Sequence, residues 1–206
     1  MRTLAIETAT EACSAALFED GALLDARYEV IGRGHAERLV PMIAELPGKG
    51  RAERIVVSLG PGSFTGVRIG LAAARALGLA WHAEVLGYPT LALVAAMARE
   101  QHPGPVTVCM SGGHGEWFVQ AFGGDGLPEH ALRSQTPEEA LQDIHYSVAA
   151  GSKAKELLQF DGPGMIALDI LPDARFFPLL PPALLDSGLA PIYGRPPDAR
   201  LPGANG

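Results

Sequence analysis

The stretch 60–83 constrains the fold more than any other part of the chain, because it turns a strand directly into a long helix. The β-branched, apolar run at 55–59 just before it is typical of a buried strand. Glycines and a proline then turn the chain, and Ser63 or Thr65 is placed to cap a helix by accepting a bond from a backbone N–H. No residue from there to position 83 stops the helix.

Four small residues of this helix lie on one side of it. On a wheel of about 100° per residue, Gly66, Gly70, Ala74 and Gly78 form what we call the small-residue stripe. The rest of the helix is apolar nearly all round, which indicates burial on more than one side. Each glycine lowers the stability of the helix by roughly 1 kcal/mol relative to alanine. Close packing against another backbone, which only a glycine allows, would offset that loss. The stripe packs either inside its own domain or, on the reading we favour, against a second protein.

Size and composition bound the class of protein. The chain has 206 residues, 48% of them hydrophobic, which suits one large domain or two small ones. No apolar run approaches the roughly 18 residues of a membrane span, and the N-terminus lacks a signal-peptide layout. Isolated Cys13 and Cys109 are typical of reduced thiols, so we expect a cytoplasmic protein. A net charge of −7 disfavours direct binding to a nucleic-acid backbone without a partner.

The order of predicted elements indicates an α/β fold. Three strands form an antiparallel meander, and helices then alternate with further strands. The predicted strands are 2–6, 13–18, 22–29, 55–59, 85–87, 106–110, 116–122 and 147–150, and the predicted helices are 35–46, 65–83, 90–100 with Thr90 as cap, one that a capping box at Thr136 begins, and 152–159.

This order predicts a mixed sheet with helices on its faces, of the RNase H-like kind. A Pro- and Gly-rich stretch at 102–105 marks a domain boundary. We therefore expect a first domain at 1–103, a smaller α/β domain at 104–195, and a loose Pro- and Gly-rich tail at 196–206.

The residue spacing of three common catalytic sites is missing. No two of the 6 histidines lie four apart, so no helix presents a pair of zinc ligands. The deaminase-like fragment at His114 lacks the Pro-Cys-x-x-Cys that completes that signature. Around Ser63, Pro61 and Thr65 stand where a nucleophile elbow has glycines, and no Lys-Ser/Thr follows Gly66 as in a P-loop. We expect no metal and no cofactor.

The turn at 7–10, Glu-Thr-Ala-Thr, follows the first strand. Actin-like ATPases place a phosphate-gripping Asp-x-Gly-Thr turn there. Ala9 stands at the glycine position, and its Cβ hinders close approach of the backbone to a phosphate. The turn therefore predicts no autonomous ATP turnover, although the N-terminus of the following long helix still attracts anions.

Four segments resemble a known family. Residues 4–10, 13–17, 35–42 and 60–70 read Leu-Ala-Ile-Glu-Thr-Ala-Thr, Cys-Ser-Ala-Ala-Leu, His-Ala-Glu-Arg-Leu-Val-Pro-Met and Gly-Pro-Gly-Ser-Phe-Thr-Gly-Val-Arg-Ile-Gly. They resemble TsaB, or YeaZ, the bacterial subunit of the machinery that makes tRNA threonylcarbamoyladenosine. Two departures are Glu7, where many members have Asp, and a first helix stopped early by Pro47-Gly48. Beyond the first half, only Pro-Ile-Tyr-Gly-Arg at 191–195 is familiar.

The resemblance implies an actin-like (ASKHA) fold and a subunit that is not itself the catalyst. Such a subunit pairs with TsaD, which carries the metal and transfers the threonylcarbamoyl group to the adenosine beside the anticodon. TsaE, an ATPase, joins them, so tRNA is met only through the complex. Independently of the resemblance, an exposed small-residue stripe would favour a homodimer when the chain is alone, but the sequence does not decide whether one forms. The helices at 35–46 and 65–83 form the implied pairing surface, with these residues in it: His35, Arg38, Leu39, Met42, Gly66, Val67, Gly70, Leu71, Ala74, Arg75 and Gly78.

Two other functions stay open at this point. A small ATP-dependent kinase or ATPase of the same fold would need glycine in place of Ala9 and a carboxylate base near the substrate hydroxyl. A metallopeptidase-like protein would need bound zinc. The sequence alone does not decide whether a nucleotide sits at the partner interface.

Overall fold

Two five-stranded sheets form the framework of the protein in the computed structural model, which describes residues 1–158 and 164–194. The first sheet has the order β3-β2-β1-β4-β5 and the second has the order β10-β9-β6-β7-β8. The first comprises β1 (Arg2–Glu7), β2 (Ala12–Glu19), β3 (Ala22–Val30), β4 (Arg54–Ser58) and β5 (Glu84–Tyr88); the second comprises β6 (Val106–Gly113), β7 (Glu116–Phe122), β8 (Arg133–Gln135), β9 (Val148–Ala150) and β10 (Ile166–Leu168).

The first sheet is mixed, as the sequence predicts. Strands β1, β2 and β3 form an antiparallel meander, in which Leu4 lies opposite Leu17. Strands β1, β4 and β5 run parallel, and Leu4 lies beside Ile55 on that side. Nearly all of β1 and β2 is buried on both faces, which explains their near-continuous apolar sequence.

Helices cover both faces of this sheet. They are α1 (His35–Ala44), α2 (Phe64–Trp81) and α3 (Thr90–Gln101), and α4 (Pro137–Gln142) and α5 (Ala154–Leu157) belong to the second sheet. Helices α1 and α2 pack side by side on one face, where Leu4, Leu39 and Leu71 share a core. Helix α3 packs on the other face and also contacts β6, so it shares one core with both sheets. The predicted α/β fold class is confirmed.

The helix ends follow their sequence signals in two places. The Ser63 side chain accepts from the Gly66 N–H at 3.2 Å and caps α2, and Thr136 forms the expected capping box with Glu139. Thr90 is not a cap, because it is the first residue of α3 and its hydroxyl lies 2.5 Å from that of Ser58. Pro41 lies inside α1, which ends two residues earlier than predicted.

Residues 172–194, the return segment, run back from the second sheet to the first. The Ala174 N–H donates to the Ser14 hydroxyl at 3.0 Å, and Gly87 and Asp186 exchange two backbone bonds of 2.7 and 2.9 Å. The segment therefore bonds to the edge of the first sheet at β5, although it follows the proposed boundary at 103. The predicted tail at 196–206 and the end of the helix predicted at 152–159 lie outside the described residues. No helix in the described ranges has the length and apolar character to span a bilayer.

Candidate functional site

The turn between β1 and β2 places a carboxyl group beneath the protein surface. Glu7, the last residue of β1, is 0% exposed. Burial raises the pKa of Glu7 to about 7, against the opposing effect of hydrogen bonds that favour its charged form. The Ala9 N–H donates to this carboxyl at 2.7 Å, and the Tyr88 hydroxyl lies 3.4 Å from its other oxygen. The Ala9 donor that a bound phosphate would need is therefore already taken by Glu7.

The same turn is packed against the start of α2. The Ser63 N–H donates to the Ala9 carbonyl at 2.6 Å, and the Thr8 hydroxyl donates to the Gly66 carbonyl at 2.8 Å. A Cβ on Gly62 would overlap the Ala9 carbonyl oxygen. Ala9 itself is 0% exposed. Direct packing and hydrogen bonds thus hold the turn against the start of α2.

The small-residue stripe faces the chain's own first sheet. A Cβ on Gly66 or Gly70 would overlap Thr8, and one on Gly78 would overlap Val85. The fourth member of the stripe, Ala74, is 0% exposed. Our expectation that this stripe meets a helix of a second chain is therefore wrong. The close approach that offsets three helical glycines is made by β1 and β5 of the same protein.

Most other residues expected at the pairing surface are also buried within the chain. His35, Leu39, Met42, Val67 and Leu71 are each at most 6% exposed and belong to the helix–sheet contact. The His35 Nε2 lies 3.2 Å from the Ala12 carbonyl oxygen. None of these side chains is available to a partner in this structure.

The two predicted arginines lie at the surface but are bound within the chain. Arg38 makes ion pairs with Glu29 of β3 and Glu45, with N–O distances of 2.5 and 2.7 Å. These hydrogen bonds raise the pKa of Arg38. Arg75 donates to the Leu189 carbonyl of the return segment at 2.8 Å. Both arginines therefore already have bonding partners within the chain.

A different set of residues on the same two helices is open to solvent. We call it the outward helix face, and Val40 and Leu79 are its large members, 56% and 80% exposed. Ala72 lies two residues after Gly70, about 200° round the helix, so it points away from the sheet. The small members of the face, all exposed, are Ala36, Ala44, Ala72, Ala76 and Ala80. The signal in the sequence was an apolar helix surface opposite the stripe.

A cleft of about 920 Å³ lies between the β1–β2 turn and the β6–β7 hairpin. At its rim the Arg68 guanidinium lies 3.4 Å from the centre of the Phe64 ring and donates to the Tyr193 hydroxyl at 3.1 Å. His114 lies on the hairpin wall. Sequence reasoning missed this cleft because Tyr193 is 125 positions from Arg68.

Metal-binding side chains do not cluster in residues 1–158 and 164–194. Within these ranges no three His, Cys, Asp or Glu side chains lie close enough together to hold an ion.

Comparison with known proteins gives two names from one modification system. A family model described as TsaD: tRNA N6-adenosine threonylcarbamoyltransferase matches residues 29–170. The tRNA threonylcarbamoyladenosine biosynthesis protein TsaB of Escherichia coli (strain K12) is 44% identical over 100 residues, which are 46% of this chain and 43% of that protein. A tRNA N6-adenosine threonylcarbamoyltransferase of Anaeromyxobacter sp. (strain Fw109-5) is 31% identical over 196 residues, 83% of this chain and 56% of that one. The chain thus spans about half the length of these curated relatives.

Among solved structures, YeaZ from Pseudomonas aeruginosa superposes with a TM-score of 0.78 at 29% identity, over 93% of this chain and 99% of that one. The two mixed sheets and their covering helices define an α/β protein with the fold of that YeaZ structure. The chain belongs to the tRNA N6-adenosine threonylcarbamoyltransferase family that the matching model describes, and within it to the TsaB (YeaZ) group. The resemblance noted in the sequence is confirmed.

Proposed function

We propose that the chain is a non-catalytic subunit that pairs with TsaD for threonylcarbamoyl transfer to the tRNA adenosine next to the anticodon. The observation that carries this proposal is the outward helix face, where Leu79 is 80% and Val40 56% exposed on two helices that contact each other. Exposed apolar surface on a soluble domain is typical of an interaction site. The proposal keeps the two helices that the resemblance implies but uses the opposite side of α2.

The composition of this face suits a second helix pair. Small alanines such as Ala72 and Ala76 let another helix approach closely, while Leu79 offers a bulky side chain to fill a pocket. Burying one such leucine fully is worth about 1.5–3 kcal/mol. A face of two helices with several such contacts is suited to a stable heterodimer.

The filled turn supports a role without catalysis. Glu7 takes the Ala9 donor, and Gly62 leaves no room above the Ala9 carbonyl. A phosphate that bonded to the Ala9 N–H would have to displace the buried carboxyl group of Glu7. In this proposal the chemistry belongs to TsaD, and this chain contributes a folded surface.

The charge of the chain supports indirect contact with RNA. With a formal net charge of −7, the isolated subunit would be repelled by a phosphate backbone. We propose that tRNA is bound through the assembled cytoplasmic complex, which TsaE joins, and that the exposed helix face allows a homodimer when TsaD is absent.

Reconstitution from purified proteins tests this function. We expect TsaD to bind the chain with one-to-one stoichiometry in a calorimetric titration. With tRNA and an activated threonylcarbamoyl donor, we expect transfer only when TsaD is present, and none by this chain alone. Turnover by the pure chain, or no heat of binding with an active TsaD preparation, would contradict the proposal.

The cleft favours one rival function, a small ATP-dependent kinase or ATPase. Its volume of about 920 Å³ lies within the range of small-molecule sites, roughly 300–1,000 Å³. Micromolar binding of ATP together with hydrolysis by the isolated chain would favour this rival. We expect neither, because the Ala9 N–H of the turn that lines the cleft already donates to the Glu7 carboxyl.

A further inference from the structure

The side chains of helix α2 carry only positive charge. Its 18 residues include Arg68 and Arg75 and contain no Asp or Glu. We call these two residues the arginine pair. Since the chain as a whole has a formal net charge of −7, this helix differs in sign from the protein to which it belongs.

The arginine pair lies on the same side of α2 as the outward helix face. At about 100° per residue, both arginines fall within about 60° of Ala72, an exposed member of that face, and both are exposed themselves. Seven residues span about 10 Å along a helix axis. The two arginines are therefore separate points along the surface that we propose for pairing.

Neutral groups hold both guanidinium groups in place. Arg68 lies 3.4 Å from the centre of the Phe64 ring and donates to the Tyr193 hydroxyl at 3.1 Å. Arg75 donates to the Leu189 carbonyl at 2.8 Å. Side chains that are fixed before binding lose less conformational freedom when a partner binds. The return segment, which supplies Tyr193 and Leu189, thus prepares both arginines for a contact.

No carboxylate in the described ranges neutralises these two charges. The ion pairs of residues 1–158 and 164–194 include neither Arg68 nor Arg75, whereas Arg38 on α1 is bound to two carboxylates. A guanidinium has five N–H donors, and each member of the pair uses one. Both can therefore still form the two parallel bonds that arginine makes with a carboxylate.

We infer that the arginine pair recognises two carboxylates on the partner and so selects the surface that fits the outward helix face. The inference rests on the proposed pairing with TsaD and adds the chemistry of the surface that TsaD would present. That surface carries two Asp or Glu side chains about 10 Å apart, beside apolar positions that receive Leu79. Opposite charges across an interface guide encounter and exclude wrong partners.

Charge reversal combined with a change of salt tests this chemistry. In the Arg68→Glu/Arg75→Glu variant, like charges face each other, so TsaD should bind roughly a hundredfold more weakly at about 50 mM salt. Salt screens the attraction in the native complex and the repulsion in the variant complex. Raising the salt to about 500 mM should therefore weaken the native complex and strengthen the variant complex. A merely structural role of the arginines would not reverse the sign of the salt dependence.

A second variant removes the charges without adding repulsion. Arg68→Gln/Arg75→Gln should weaken binding by about tenfold at low salt. The controls carry the same substitutions, to Glu or to Gln, at Arg133 of β8 and Lys155 of α5, whose side chains are 49% and 67% exposed. Each control matches the net charge of its test variant, and we expect it to bind TsaD like the native chain.

Calorimetric titration with TsaD separates this inference from the proposed function. If Leu79→Asp weakens binding but the arginine variants bind like the native chain or like their controls, the pairing stands and the inference is overturned. A charge-reversed variant that loses affinity with rising salt, as the native chain does, would overturn it as well. No binding by the native chain would overturn both the inference and the proposed function.

Discussion

Replacing Gly70 with leucine tests which way the small-residue stripe faces. A Cβ at this position would overlap the Thr8 hydroxyl oxygen and lie 3.4 Å from a Val57 methyl group. Overpacking a filled contact costs about 1–3 kcal/mol, and displacing Thr8 also removes its 2.8 Å bond to the Gly66 carbonyl, worth about 1 kcal/mol. Replacing a helical glycine returns roughly 1 kcal/mol, so we expect a net loss of about 1–3 kcal/mol.

For a chain of this size each kcal/mol shifts Tm by about 2–4 °C, so Gly70→Leu should lower Tm by roughly 2–12 °C in a calorimetric scan. The matched control is Ala72→Leu, which adds a larger side chain on the exposed side of the same helix. We expect its Tm to change little. An unchanged Tm for Gly70→Leu, or an equal fall for both variants, would refute the placement of the stripe against β1.

Three further predictions concern acidity, the return segment and RNA. The pKa of Glu7 is about 7 in the folded chain, against an ordinary 4.5, so its contribution to the free energy of unfolding is full below pH 4.5 and is lost as pH rises through 7, a fall of about 3 kcal/mol. In urea unfolding at pH 5 and 8, the Glu7→Gln variant should lose less stability between the two pH values than the native chain. An equal loss in both proteins would contradict this prediction. Ending the chain after Leu171 removes the contacts of Ala174, Asp186 and Ile192 with the first sheet, so we expect loss of about 5 kcal/mol or more and little cooperative unfolding by circular dichroism. The lone chain should bind tRNA no better than high micromolar at physiological salt, and a submicromolar gel shift would be incompatible with this.

The first sheet and its helices were predictable because their sequence periods are strong. Strand β4 contains a β-branched apolar run, and α2 begins at the expected Ser63 cap. Each of these elements is recognised from residues that lie near one another in sequence. The small strands β8 and β10 were missed because each has only 3 residues, too few to show the alternating pattern of a strand.

The side of α2 that meets the sheet was not predictable from α2 alone. Glycines in a helix indicate that another backbone comes close, but they do not say which one. The backbone proved to be the turn at Thr8, 58 positions from its hydrogen-bond partner Gly66. Only the three-dimensional pairing of β1 with β4 brings the two together.

The candidate site likewise combines features that the local sequence predicts with contacts made by residues far away in the chain. In the sequence, Ala9 indicates a turn that is poorly suited to binding phosphate. The structure adds that the backbone N–H of Ala9 already donates to the Glu7 carboxyl. The Tyr88 hydroxyl, 3.4 Å from the Glu7 carboxyl, comes from 81 positions away. The return segment likewise joins the first sheet after the second sheet is complete, an order that no local pattern reports.

The most direct test of the proposed pairing surface is the affinity of TsaD for Leu79→Asp, measured by calorimetric titration. Leu79 is 80% exposed, so the isolated variant should keep its Tm. Losing about 1.5–3 kcal/mol of leucine burial would weaken pairing by roughly ten- to a hundredfold. The control, Leu158→Asp, changes a leucine that is 44% exposed near the end of α5 and should bind TsaD like the native chain. Unchanged affinity for Leu79→Asp, or equal weakening by both variants, would contradict the assignment of the outward helix face.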